Sequence, residues 1–224
     1  MISAGLLKDY LSRFEQLPLC KGPSPVQKLD NLRSKWGLGF DLYVKRDDLI
    51  GPAFGGNKSR QLEFLLGNAI EQGADCIVHG GALQSNYARQ VSAACAMHDL
   101  DCYLVLSDHY NQKKNTGSHL VSQFLGANIT YFEGKLGSAH EEQKKKLSES
   151  LEALGRRPYL ITYPKSEILG SLGYLKATLE LVEQLPEDEF PQRIVMPAVG
   201  ATFIGVLLGL KLLGYKEVEV VGVA

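Results

Sequence analysis

Residues 76–86 read CIVHGGALQSN and pass from an apolar, β-rich run through two adjacent glycines into a polar loop. A helical pattern follows directly, and one of its faces is formed by Val91, Ala94, Cys95 and His98. A strand, a glycine-containing loop and a helix in this order are typical of an α/β fold with a parallel sheet.

The same alternation extends through most of the chain and predicts parallel sheets with helices packed on both faces. Further β-rich runs occur at residues 41–44, 102–106, 129–132, 159–162, 193–196 and 218–223. Two intervening segments have apolar faces, formed by Leu62, Leu65, Leu66, Ala69 and Ile70 and by Leu172, Leu175, Leu179 and Val182. The most polar segment, 138–150, contains three consecutive lysines and is interpreted as a solvated peripheral helix.

The composition excludes several classes of protein. Of the 224 residues, 45% are hydrophobic and 22% are charged, which is enough apolar material for a full core and argues against a disordered or fibrous chain. Lys and Arg number 24 against 25 Asp and Glu, so no basic field favours nucleic acid as a partner. The longest apolar run, 203–213, is interrupted by Lys211 and is shorter than the ~18 residues that a membrane span needs.

The N-terminus and the cysteines give no indication of export. Lys8 and Asp9 interrupt the first apolar run, which is too short for a signal peptide. The four cysteines form no CxxC pair and predict neither a disulfide framework nor a metal site, and the five histidines show no metal-ligand spacing. We therefore expect a cytoplasmic protein without a bound metal.

The first loop with chemical potential is FGGNKSR, residues 54–60, which leads into a helical segment. Its two glycines allow the backbone to approach a ligand, and they place Lys58 in the first helical turn. A cation is unfavourable at that end of a helix dipole. Lys58 is either a solvated surface lysine or an amine kept partly neutral for Schiff-base chemistry.

The second loop is the one after the strand at 76–79, and it ends in Ser85 and Asn86 at the start of a helix. Backbone N–H groups and these two side chains are well suited to hold a carboxylate. Capping of the helix by Ser85 or Asn86 explains the same residues equally well.

The third loop, residues 197–205, lies between a strand and an apolar helix. Gly200 and Gly205 have the spacing of a nucleotide P-loop, but Val206 and Leu207 stand where that loop requires Lys and Ser or Thr. The loop is either a structural turn or a cradle for a smaller phosphate, formed by N–H groups and the Thr202 hydroxyl. An amine, a carboxylate cradle and a phosphate cradle together are what pyridoxal phosphate and an amino-acid substrate require.

The chain resembles the branch of fold-type-II pyridoxal-phosphate enzymes, related to tryptophan synthase β, that contains aminocyclopropane-carboxylate (ACC) deaminase and D-cysteine desulfhydrase. The motifs that carry the resemblance are PSPV at 23–26, LYVKRDDL at 42–49, GGNKSR at 55–60, QSNYARQ at 84–90 and LGSLGY at 169–174. The resemblance implies an α/β fold of two three-layer domains with parallel sheets. We expect a large domain from 1–59 and 164–224, and a smaller inserted domain from 60–163.

The resemblance also implies roles for individual residues. Lys58, next to the cofactor-binding Asn57, would hold pyridoxal phosphate and act as the base at the substrate α-carbon. Ser85, as a further catalytic residue, and Asn86 would hold the substrate carboxylate, with Asn86 also near the phenolic oxygen of the cofactor. The turn formed by Val199, Gly200, Ala201 and Thr202 would bind the phosphate.

Three departures from the family pattern shape the expected activity. Tyr87, a substrate-binding position, replaces the glutamine of the deaminases, and Val199 and Ala201 replace small polar residues or glycine in the phosphate turn. The family also continues past residue 224, into a part that supplies the group facing the pyridine nitrogen, so we expect an incomplete member.

These features predict β-elimination from a small, D-cysteine-like amino acid, which yields a keto acid, ammonia and sulfide. The alternatives are ACC deaminase activity, a truncated non-catalytic relative that binds cofactor or a partner chain, and an unrelated α/β binding protein without a cofactor. The habit of the family implies a homodimer.

Overall fold

The computed structural model describes residues 1–109, 115–197 and 200–223. The described α-helices are α1 (Ala4–Leu11), α2 (Asp30–Trp36), α3 (Asn57–Glu71), α4 (Asn86–Met97), α5 (Gly117–Phe124), α6 (Ser138–Ala153), α7 (Tyr163–Gln184) and α8 (Ala201–Leu213). The described strands are β1 (Val26–Lys28), β2 (Tyr43–Lys45), β3 (Cys76–Ala82), β4 (Asp101–Ser107), β5 (Asn128–Phe132), β6 (Pro158–Leu160), β7 (Arg193–Met196) and β8 (Glu219–Gly222). Within these ranges no helix has both the length and the hydropathy that crossing a bilayer demands.

The largest sheet has four parallel strands in the order β5-β4-β3-β6. Its central strand β3 is buried on both faces. Ile77 packs towards α3 and α4, whereas Cys76 and Val78 pack against Leu151 of α6. This confirms the predicted parallel α/β fold with helices on both faces. The carboxyl end of β3 leads directly to the loop that begins α4.

The two smaller sheets have two strands each, which run parallel in one sheet and antiparallel in the other. β7 and β8 pair in parallel, as expected, with Arg193 opposite Glu219. β1 and β2 pair antiparallel, so the expectation that every sheet is parallel is wrong for the predicted strand at 41–44. The connecting helix α2 has no buried residue, and Gly37 ends it in a left-handed conformation. The chain thus returns beside β1 in the opposite direction.

The polar helix α6 is not solvated on all sides, which corrects the interpretation of residues 138–150. His140 and Lys144 are buried against β3 at Gly80, where an added methyl group would lie 2.7 Å from His140 Cε1. His140 Nε2 lies 2.9 Å from the Val105 carbonyl oxygen, and Lys144 Nζ pairs with Glu141 at 2.7 Å. Because Gly80 has no side chain, His140 and Lys144 have room to pack on the apolar face of the sheet.

Three helices that frame the site approach closely because glycines lie at their crossings. An added methyl group at Gly173 of α7 would lie 2.3 Å from the Arg60 carbonyl oxygen of α3. A methyl group at Gly205 of α8 would lie 2.4 Å from the Ser171 carbonyl oxygen of α7. The predicted apolar face of α7 packs on α1 and Phe64, while Ile70, predicted on the buried face of α3, is 41% exposed.

Candidate active site

The first turns of four helices come together around Lys58. Asn57 Nδ2 of α3 donates to Thr202 Oγ of α8 at 3.2 Å, and the Tyr87 hydroxyl of α4 lies 3.0 Å from Ser166 Oγ of α7. The Lys58 amine lies 4.7 Å from the centre of the Tyr87 ring. Helix N-termini carry partial positive charge and free N–H groups. Their convergence makes this region suitable for a ligand with more than one anionic group.

The Lys58 amine is half-buried and points at a neutral partner. Gly55 and Gly56 precede it with positive φ angles, and α3 begins at the next residue. Lys58 Nζ donates to Gln61 Oε1 at 3.1 Å, and within the described residues it makes no salt bridge with a carboxylate. Burial lowers the pKa of Lys58, and the charge of Glu167 offsets part of that effect. At neutral pH a larger fraction of such an amine is unprotonated than of a solvated lysine, and only the unprotonated amine can attack an aldehyde or accept a proton.

Thr202 is fixed as a hydrogen-bond donor. Its buried hydroxyl oxygen accepts from Asn57 Nδ2 at 3.2 Å and from Gln61 Nε2 at 3.1 Å. Both lone pairs are thereby used, so only the hydroxyl proton remains for a ligand. Gly200, the residue before α8, has φ 62°, and Ala201 is buried beside it. Gly200, Ala201 and Thr202, which were predicted to bind the phosphate, thus form the start of α8, while Val199 lies outside the described residues.

Ser85 is the N-cap of α4. Its Oγ accepts from the Ala88 N–H at 3.1 Å, as the capping interpretation predicts. The hydroxyl proton remains available to a ligand, so the cap and a carboxylate contact are compatible.

The Asn86 side chain is hydrogen-bonded to residues other than Lys58. Its Oδ1 accepts from Arg89 Nη1 at 2.9 Å and from Ser118 Oγ at 3.1 Å, which directs it towards α5. The structure therefore brings Lys58, Asn57, Tyr87 and the turn Gly200–Thr202 together, but not the Asn86 amide.

Tyr87 separates the Lys58 amine from a buried histidine. The rings of His79 and Tyr87 lie 4.3 Å apart, and neither ring nitrogen of His79 has a hydrogen-bond partner among the described residues. Burial and then the nearby charge of Lys144 lower the pKa of His79 to about 3, so it is neutral at physiological pH. Burial also raises the pKa of Tyr87.

Sequence reasoning missed Gln61, Ser166, His79 and Glu167. Gln61 has a usable signal, since it lies three residues after Lys58 and therefore one helical turn further on the same face. Ser166 and Glu167 reach the site only because α7 crosses α3 at Gly173, which no local pattern indicates.

A second cluster lies beside the site. It joins Arg60 of the motif GGNKSR to Asp47 of the motif LYVKRDDL. Arg60 is 1% exposed, and its guanidinium bonds Asp47 at 2.9 Å and Glu180 at 2.8 Å, in both cases through two oxygens. Ser24 and Tyr174 complete the shell around Asp47, at 2.6 and 2.7 Å. Burial alone would raise the pKa of Asp47, but the hydrogen bonds and charge of Arg60 hold it below its usual value.

Comparison with known proteins decides the family. The family model described as "Pyridoxal-phosphate dependent enzyme" matches residues 17–224. The chain belongs to this family. The match confirms the predicted cofactor.

Several curated members of the family are similar over nearly the whole chain. A D-cysteine desulfhydrase from Serratia proteamaculans (strain 568) is 36% identical over 225 residues, covering 97% of this chain and 66% of the relative. A D-cysteine desulfhydrase from Salmonella typhi is 34% identical over 219 residues, covering 96% of this chain and 65% of the relative. The crystal structure of an ACC deaminase homologue superimposes with a TM-score of 0.85 at 31% identity, covering 96% of this chain and 65% of that structure.

These comparisons confirm the predicted branch and its α/β fold. They also show that the chain spans about two thirds of the length of the relatives it matches.

Proposed function

We propose that this chain binds pyridoxal phosphate through Lys58 and contributes to β-elimination from a small, D-cysteine-like amino acid, with release of a keto acid, ammonia and sulfide. The observation that carries the proposal is the half-buried Lys58 amine, which lies at four helix N-termini and donates to the neutral Gln61 amide. Relatives named D-cysteine desulfhydrase support the substrate class.

The residues around Lys58 fit the cofactor. An aldehyde needs a neutral amine, and burial biases Lys58 towards that form. A phosphate needs N–H and O–H donors, which the α8 N-terminus after Gly200 and the Thr202 hydroxyl provide. When bound, pyridoxal phosphate supplies the electron sink that stabilises a carbanion at the substrate α-carbon.

The chain's own residues divide the remaining tasks. In this proposal Lys58 Nζ holds the cofactor and takes the α-proton of the substrate, and the Gln61 amide and Tyr87 ring position that amine. The Thr202 hydroxyl donates to the phosphate, with Asn57 and Gln61 fixing its direction.

The substrate carboxylate is assigned to the α4 N-terminus. We propose that the Ser85 hydroxyl proton and the first N–H groups of α4 hold it, with Tyr87 packing against the substrate. Asn86 would contribute its backbone N–H in the present arrangement. Its side chain would approach the cofactor only after leaving Arg89 and Ser118.

A second candidate function is hydrolytic deamination of the cyclopropane amino acid. The similarity to a structure of an ACC deaminase homologue favours it. Tyr87, in place of the glutamine expected for that activity, favours the desulfhydrase reaction instead.

The wider setting is part of the same proposal. We propose a cytoplasmic homodimer in which residues 60–163 form an inserted domain against a large domain from 1–59 and 164–224. All four strands of the largest sheet fall inside that insert, and β7 and β8 fall outside it. The Lys58 side chain lies at the junction of the two parts.

Replacement of Lys58 tests the proposed function. We expect Lys58→Met to lose the visible absorbance of lysine-bound cofactor and to lower turnover of D-cysteine to sulfide by at least roughly 10²–10⁴-fold, as loss of a general base does. The far-ultraviolet circular dichroism spectrum should not change. Lys211→Met on α8 is the matched control and should behave like the wild type. If Lys58→Met keeps both absorbance and turnover, Lys58 has no role in the reaction.

A further inference from the structure

We propose that the Glu167 carboxylate occupies the approach to the phosphate turn and thereby sets the affinity of this chain for the cofactor and for other phosphates. The inference rests on the proposed function of Gly200–Thr202 as the phosphate turn. It identifies an affinity-determining residue on α7 that belongs to none of the three loops.

The position of Glu167 is established by its contact with Gly200. A methyl group built at Gly200 would lie 2.4 Å from Glu167 Oε2 and 2.8 Å from Oε1, so both carboxylate oxygens face the residue that precedes α8. Gly200 has φ 62° and ψ −139°, and α8 begins at the next residue. The carboxylate therefore lies at the end of α8 that an anionic ligand would use.

The charge of Glu167 also reaches the amine. It raises the pKa of Lys58, although burial lowers that pKa by a larger amount. Burial raises the pKa of Tyr87 most, the Ser166 hydrogen bond lowers it, and the charge of Glu167 raises it further. One carboxylate is thus close to the amine and to the phosphate turn at once. In the cofactor-free protein it stabilises the positive helix end and the ammonium form of Lys58.

A phosphate group would have to share this space. The phosphate of the cofactor would carry up to two negative charges, and a carboxylate beside the phosphate turn in a partly buried site would repel it strongly enough to change affinity about tenfold or more. Binding therefore requires the charged Glu167 side chain to rotate away from Gly200. This rearrangement lowers the apparent affinity relative to a neutral side chain of the same shape.

The test compares Glu167→Gln with Glu183→Gln. Glutamine keeps the shape of the side chain and removes the charge. Glu183 lies on the same helix and pairs with Lys8 at the exposed surface, so its replacement controls for loss of one acid from α7. Two ligands are titrated into cofactor-free protein: pyridoxal phosphate, followed by visible absorbance, and inorganic phosphate, followed by the midpoint of thermal unfolding.

We expect Glu167→Gln to bind pyridoxal phosphate about tenfold more tightly than the wild type, with a larger stabilisation by inorganic phosphate. Glu183→Gln should match the wild type with both ligands. Equal affinities of Glu167→Gln and the wild type for both ligands would overturn the inference, even where the absorbance shows that Lys58 holds the cofactor.

The phosphate titration separates this inference from the proposed function. If no protein shows lysine-bound cofactor while inorganic phosphate stabilises Glu167→Gln more than the wild type, the role of Lys58 fails and that of Glu167 stands. Glu167→Ser is the second variant if Glu167→Gln does not fold, and it has the same expected and contradicting results.

Discussion

Arg60 and Lys58 lie two residues apart in the first turn of α3, yet their surroundings are opposite. Arg60 is enclosed by two carboxylates and a hydroxyl that use most of its N–H groups. Lys58 has one neutral hydrogen-bond partner and an aromatic ring. The contrast shows how a short motif can fix a helix with one cation and leave the other free for chemistry.

The two environments have different energetic consequences. A buried ion pair contributes little net stability, but removing one partner leaves an uncompensated buried charge. A half-buried amine without a carboxylate partner carries a desolvation penalty that disappears on replacement. Arg60 is therefore expected to be needed for folding, and Lys58 for function.

The largest expected effect is on stability at Arg60. We expect Arg60→Met to lower the free energy of unfolding by roughly 3–5 kcal/mol, because Asp47 and Glu180 lose their shared counterion. Lys58→Met should change it by less than about 1 kcal/mol. Urea unfolding of both variants measures the difference, and similar losses would contradict the division between the two cations.

The pH dependence of the free energy of unfolding tests the environment of His79, which lies beside the candidate active site. His79 has a pKa of about 3 in the folded protein, below that of an unfolded histidine. Below about pH 6.5 His79 therefore binds a proton in the unfolded chain but stays neutral in the folded chain. The free energy of unfolding consequently falls as the pH decreases towards 3, by up to roughly 1.4 kcal/mol per pH unit.

The variant His79→Phe should remove this contribution. Its unfolding free energy should fall less steeply between pH 6.5 and 4 than that of the wild type, and measurements at pH 7.5 provide the reference for each protein. The lowered pKa of Asp47 also makes stability fall with acid, but it is common to both proteins. Parallel curves would show that His79 is not kept neutral.

The smallest expected effect concerns the cap of α4. Ser85→Ala and Ser3→Ala each remove an N-cap, since Ser3 Oγ accepts from the Leu6 N–H at 3.1 Å in α1. Each variant should lose about 1 kcal/mol of stability. Only Ser85→Ala should also weaken amino-acid binding, by roughly 1.5–3 kcal/mol for a charge-assisted hydrogen bond. An unchanged amino-acid affinity in Ser85→Ala would leave Ser85 with the capping role alone.

The sequence is informative where chemistry and local structure coincide. The glycines before Lys58 and the strand–loop–helix at Ser85 predict helix starts that the structure contains, because capping and positive φ angles are local requirements. The direction of the Asn86 side chain could not be predicted, since it depends on the distant Ser118. The position of Glu167 in the site could not be predicted for the same reason, because its neighbour Gly200 is 33 positions away in the sequence.

The fold shows the same limit. The β-rich runs predicted β3 and β4 well because most of their side chains are buried, and β7 was predicted although its side chains alternate between exposed and partly buried. The sequence pattern failed for α6, because a polar helix can cover a sheet when Gly80 leaves room for His140 and Lys144. It also failed for the direction of β2, because the local pattern of a strand does not state which way its partner runs.

The close crossings at Gly173 and Gly205 have a consequence for how the activity can diversify. The separation between the amine and the phosphate turn is set by main-chain contacts among α3, α7 and α8, not by any side chain that a substrate touches. Under the proposed function, replacement of Tyr87 is expected to alter which amino acid is accepted without moving these helices. Replacement of Gly173 is expected to force α3 and α7 apart and so to disturb the proposed cofactor site.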